Sequence, residues 1–120
     1  YKDTKAAVEA TIGLEKYRNK KIKAWLGDST SLKAFNVEQF DMVDAAFVDA
    51  AHDYENVLLN TYLAINYGAK YIIFDDVHKT SMANSIYPAI ERLEKLGLLE
   101  PIKDYTRPDS GLISLYKVKL

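Results

Sequence analysis

Two short apolar runs, each stopping on aspartate, constrain the fold of this chain more than any other feature. Ala45-Ala46-Phe47-Val48 ends at Asp49, and Tyr71-Ile72-Ile73-Phe74 ends at Asp75-Asp76. Neither alternates polar with apolar residues, which is the pattern of strands buried on both faces. The segment between them has helical periodicity. Asp53 is placed to cap it, Val57, Leu58, Thr61, Tyr62 and Ile65 fall on its inward face, and Gly68 stops it. Strand, helix and strand in that order predict a crossover between neighbouring parallel strands.

The flanks extend the pattern. Residues 3–18 predict a helix capped by Asp3 or Thr4, with Val8, Ile12, Leu14 and Tyr17 apolar. Lys21 to Leu26 alternates, with lysines on one face as at a sheet edge, and ends at Gly27-Asp28-Ser29. A further helix is predicted over 83–96, using Ile86, Ile90, Leu93 and Leu96 and closed by Gly97, with Pro88 tolerable only near its first turn. Ile102 to Thr106 and Leu112 to Val118 read as strands joined by the turn-rich Arg107-Pro108-Asp109-Ser110-Gly111. The expected fold is a single α/β domain over residues 1–120, with a mostly parallel sheet, helices on both faces and a C-terminal antiparallel hairpin.

Composition removes several classes of chemistry. With no cysteine there is no disulfide scaffold, thiolate metal site or thiol nucleophile, and two histidines cannot build an all-histidine site. The five glycines lie far apart, so a glycine-rich nucleotide loop is missing from this stretch. Sixteen basic against 17 acidic side chains leave a net charge of −1, which argues against a polycationic nucleic-acid binder. No apolar run approaches the ~20 residues of a membrane span, and the opening residues carry no signal-peptide core. The expectation is a soluble cytoplasmic protein. The near-zero total hides an uneven distribution: residues 34–69 contain no Lys or Arg but carry Glu38, Asp41, Asp44, Asp49, Asp53 and Glu55.

In open α/β sheets, ligands bind beyond the carboxyl ends of the parallel strands. Asp49 and Asp75 would face one crevice there, since neighbouring strands lie ~4.8 Å apart. Two or three carboxylates without thiolates suit a hard cation such as Mg²⁺. Any single aspartate in such a place can equally cap a turn or the next helix. His52 and His78 each read as a general base or as a loop histidine satisfying backbone groups. Asp28 and Ser29 either meet a nucleobase or form a turn.

The segments Asp44 to Tyr54 and Tyr71 to Val77 resemble the fourth and fifth strands of class I S-adenosylmethionine-dependent methyltransferases, especially the metal-dependent O-methyltransferases. Gly27-Asp28-Ser29 resembles the end of that family's third strand, and the terminal hairpin also matches. The resemblance implies a Rossmann-like fold and O-methylation of a small-molecule hydroxyl. It further implies cofactor contacts at Gly27, Asp28, Ser29 and Asp49, Mg²⁺ held by Asp49, Asp75 and Asp76, and His52 as the base. The family's glycine-rich loop and its ribose-binding acid have no counterpart here, so the chain reads as incomplete at its N-terminus. The gap that the first two strands would leave implies a homo-oligomer or strand-swapped dimer. Two other readings stand beside it. One is a non-catalytic remnant serving binding or assembly. The other is a receiver-like phosphoacceptor, disfavoured because the acidic pair follows the third strand rather than the first.

Overall fold

The computed structural model describes residues 43–49, 52–108 and 111–119, together with Ala6, Ala7 and Ala10, which are helical. The rest of the predicted 3–18 helix, the 21–26 strand and Gly27, Asp28 and Ser29 lie outside the described residues. Strand β1 (Ala45–Val48) pairs in parallel with β2 (Tyr71–Val77), in register from Ala45 opposite Tyr71 to Val48 opposite Phe74. Helix α1 (Tyr54–Asn66) makes the crossover. Its cap is Asp53, in extended backbone, whose carboxylate accepts the Asn56 N–H at 3.3 Å. At the other end Gly68 adopts a φ of 95°, where a side chain would be strained, and the Ala69 N–H donates to the Ala64 carbonyl.

Helix α2 (Ile86–Lys95) follows, then β3 (Leu99–Thr106) and β4 (Leu112–Val118). The sheet order is β1-β2-β4-β3, with β4 antiparallel to both neighbours, so β3 runs parallel to β2. The architecture is therefore α/β with a four-stranded mixed sheet. Three of its strands run the same way, and the returning strand of the hairpin inserts antiparallel between β2 and β3.

Helices α1 and α2 pack on one face of the sheet, where they contribute to a single core. The connections from β1 to β2 and from β2 to β3 both step the same way along the sheet. Crossovers of one hand then place both helices on the same side. Ile72, Phe74 and Val77 of β2 and Ala89 and Ile90 of α2 are fully buried, and Phe74 meets Tyr116 edge-on at 5.7 Å. Burial, followed by the charge and hydrogen bond of Glu94, pushes the Tyr116 phenol well above its ordinary pKa.

Four expectations are corrected. Tyr62 is 56% exposed, whereas α1 buries Val57, Thr61 and Ile65 and packs the partly buried Leu58 and Ala64 against the core. β1 is not buried on both faces. Phe47 is 56% exposed, and β1 ends the described sheet with β2 alone as its partner. Helix α2 starts at Ile86 rather than 83, which puts Pro88 in its first turn, where its missing N–H costs nothing. β3 starts at Leu99 rather than 102 and keeps Pro101, as an edge strand can. No helix among the described residues is long and apolar enough to cross a membrane.

Candidate functional site

β2 does not stop at its aspartates. It runs through them, and the irregularity this creates builds the site. Phe74 lies opposite Ser114 and Val77 opposite Leu112, so Asp75 and Asp76 together face the single residue Ile113. This is a β-bulge, a device that re-aims side chains at functional edges. Asp76 carries its left-handed conformation, with a φ of 55°. Aspartate is among the few non-glycine residues that enter this region readily, although the conformation is costly.

The bulge is buttressed from the start of α2. Asn84 Nδ2 donates to the Asp76 carbonyl at 2.9 Å and lies 3.3 Å from its Oδ2, while Asn84 Oδ1 accepts the Ile86 N–H at 3.1 Å. One side chain thus serves an orphan donor of the helix and holds the strained aspartate. The Ser85 N–H donates to the His52 carbonyl at 3.1 Å. The start of α2 is thereby tied to both strand ends.

The side chains form an alternating series across the crevice. His52 Nε2 lies 3.7 Å from Asp49 Oδ1, and His52 Nδ1 lies 3.6 Å from Asp76 Oδ2. Asp76 Oδ1 is 2.8 Å from His78 Nε2. The hydrogen bond with His78, aided by the charges of His78, His52 and Arg107, holds the Asp76 carboxyl below its ordinary pKa although partial burial opposes this. Asp75 turns elsewhere: its Oδ1 accepts from Arg107 Nη1 at 2.5 Å. Arg107 stands at the start of the β3–β4 loop, where its N–H also donates to the Gly111 carbonyl at 3.0 Å.

Asp49, His52 and Asp76 are thus brought together, and His78 joins them through Asp76. Asp75 is paired with Arg107 instead. These positions do not fit the expected Mg²⁺ set of Asp49, Asp75 and Asp76. Asp75 is engaged by a guanidinium, and among the described residues no three His, Asp or Glu side chains converge as metal ligands. A groove of about 410 Å³ runs along β1 against the Asn60, Leu63, Ala64 and Tyr67 side of α1 and ends at Asp49. It is mainly apolar and within the size range of small-molecule sites.

No protein-family profile, curated protein sequence or solved structure matches this chain.

Sequence reasoning missed Asn84 and Arg107. Asn84 carries a faint signal, since an Asn-Ser pair directly before an apolar-periodic segment is capping chemistry. Arg107 carries none, because its partner lies 32 positions away. A second polar group was also invisible. Lys79 Nζ lies 2.5 Å from Asp104 Oδ2, and the buried Ser114 hydroxyl donates to Asp104 Oδ1 at 2.7 Å. Lys79 also stands 5.6 Å over the Tyr87 ring. This group fastens the segment after β2 to the hairpin.

Proposed function

We propose that this chain is the acceptor-side portion of a Rossmann-like S-adenosylmethionine-dependent methyltransferase acting on a small-molecule hydroxyl. The glycine-rich unit that grips the cofactor would be supplied from outside the chain. One observation carries the reading: the ends of two adjacent parallel strands bring Asp49, His52 and Asp76 together, with an imidazole between two carboxylates. The mainly apolar groove ending at Asp49 adds support, since it offers a place for a small organic molecule beside that imidazole.

The cofactor's part is an electrophilic methyl group on a sulfonium. This chain supplies the base. Asp76, pinned by His78 and Asn84, lies 3.6 Å from His52 Nδ1 and would orient the ring once that contact tightens around a bound acceptor, with Nε2 on the Asp49 side. Nε2 would take the proton of an acceptor hydroxyl, and the cofactor, when bound, would supply the methyl group to that oxygen, its sulfonium leaving as a neutral thioether. The resulting imidazolium sits between two carboxylates, which offsets its charge without reorganisation. No step is routed through Mg²⁺.

Equilibrium dialysis against labelled S-adenosylmethionine tests the reading. The chain should retain cofactor saturably, and Asp49→Ala should lower the affinity by about tenfold, the scale of one charge-assisted hydrogen bond. Equal retention by both proteins would remove Asp49 from the site. No retention by either would leave the non-catalytic binding or assembly module as the better account.

A further inference from the structure

Asp75 follows directly after the last in-register pair of β1 and β2, Val48 with Phe74. A divalent ion held by Asp49, Asp75 and Asp76, the set the resemblance implies, would use this carboxylate. Asp75 is instead held by Arg107, at 2.5 Å, with both side chains largely withdrawn from solvent: 20% of the aspartate and 30% of the arginine remain exposed. A guanidinium is always protonated and presents its donors in a rigid fork that matches a carboxylate. An ion bound at Asp75 would sit within a few ångströms of that fixed positive charge, and repulsion in a partly desolvated place is strong.

We infer that Arg107 is the built-in counter-ion of this site. It occupies the electrostatic place of a divalent cation, so the chemistry at His52 runs metal-free. The β3–β4 loop then has a defined task, because it delivers the arginine across the sheet to the end of β2. The arginine acts as a positioning residue. It engages Asp75, while Asp76 keeps its contacts with His52 and His78. A site of this kind takes its proton through an imidazole, whereas a metal site ionises the hydroxyl by coordination.

This consequence rests on the base role proposed for His52, but the counter-ion itself is tested without cofactor or acceptor. Mn²⁺ is the probe, titrated into the chain and followed by the loss of its free electron-spin resonance signal. The wild-type chain should show no saturable binding at millimolar Mn²⁺. Arg107→Gln should bind, at least about tenfold tighter than wild type, which is the low end of what removing a neighbouring unit charge gives. Adding Asp75→Asn to that variant should abolish the gain. Arg107→Lys keeps a charge and should stay silent, which separates charge from loop geometry. Saturable binding by wild type that is lost in Asp75→Asn would overturn the inference, as would a folded Arg107→Gln with no gain. Either result leaves the cofactor retention experiment untouched, so the two proposals fail separately.

Discussion

Helix α2 buries Ile86, Ala89, Ile90 and Leu93 against the fully buried Ile72, Phe74 and Val77 of β2, and Tyr116 of β4 closes the same core. Helix α1 buries Val57, Thr61 and Ile65 and lays the partly buried Leu58 and Ala64 against that core, while the strand before it, β1, is exposed or half-buried throughout. One half of the described molecule is densely packed and the other is thin. The candidate site straddles the border. Asp49 and His52 come from the thin half, while Asp75, Asp76, His78 and Arg107 come from the packed half. Its geometry is therefore more easily disturbed from the β1 side, and beyond the β1–β2 pairing the Ser85 N–H at the start of α2 ties His52 to the packed half.

The largest expected effect sets two phenylalanines against each other. Phe74→Ala should destabilise by about 3–5 kcal/mol, as core phenylalanine deletions do. Phe47→Ala, at an exposed position of β1, should stay within about 0.5 kcal/mol. Denaturant midpoints for the two variants measure this directly. Similar losses would mean that β1 is as deeply packed as β2.

The bulge comes next. Asp76→Ala and Asp76→Gly both lose the contact to His78, but only glycine accepts a φ of 55° freely. The glycine variant should therefore be more stable than the alanine variant by about 1–2 kcal/mol. Equal stability would remove the left-handed aspartate.

A smaller effect sharpens the weakness of α1. Among the described residues the buried Thr61 hydroxyl has no hydrogen-bond partner. Thr61→Val should raise stability by about 1 kcal/mol, because it removes an unsatisfied polar group at nearly constant shape. A loss of stability would show that the hydroxyl has a partner.

The last effect is in acid. Burial raises the Asp104 carboxyl pKa, but hydrogen bonds from Lys79 and Ser114 and the charge of Lys79 outweigh it, so the net direction is downward. Asp76 is lowered too, chiefly by His78. A carboxylate with a depressed folded pKa contributes its full stability above the ordinary aspartate range, and this is lost as pH falls through the folded value. The hydrogen bond with Asp104 raises the Lys79 pKa, so its share persists through neutral pH and is lost only as alkali passes that raised value. Melting temperatures followed from pH 6 downward should fall more steeply for wild type than for Asp104→Asn. Parallel curves would contradict the direction.

What the sequence made legible follows from locality. The four residues of β1, the Asp53 cap, the stops at Gly68 and Gly97 and the pairing of β1 with β2 all depend on neighbours along the chain or on a single short crossover. Features set by the hairpin were not legible. β2 continues past Phe74 because β4 offers it a partner, and the bulge at Asp75-Asp76 exists only in that pairing. The pair of aspartates looked like one chelating unit, yet the bulge sends the two carboxylates to different partners. Tyr62 lies on the apolar periodicity of α1, but no described element covers it. Arg107 and Asp104 read as loop and strand residues because their partners are distant in sequence.

The central claim is that the crevice at Asp49, His52 and Asp76 receives an S-adenosyl compound. Titration of the isotopically labelled chain with S-adenosylhomocysteine, followed by amide and imidazole NMR shifts, tests it most directly. The account predicts saturable shifts clustered on Val48, Asp49 and His52, attenuated in Asp49→Ala, with Lys79, Asp104 and Ser114 unmoved. Shifts absent at the highest soluble ligand concentration, or confined to the Lys79–Asp104 side, would contradict it.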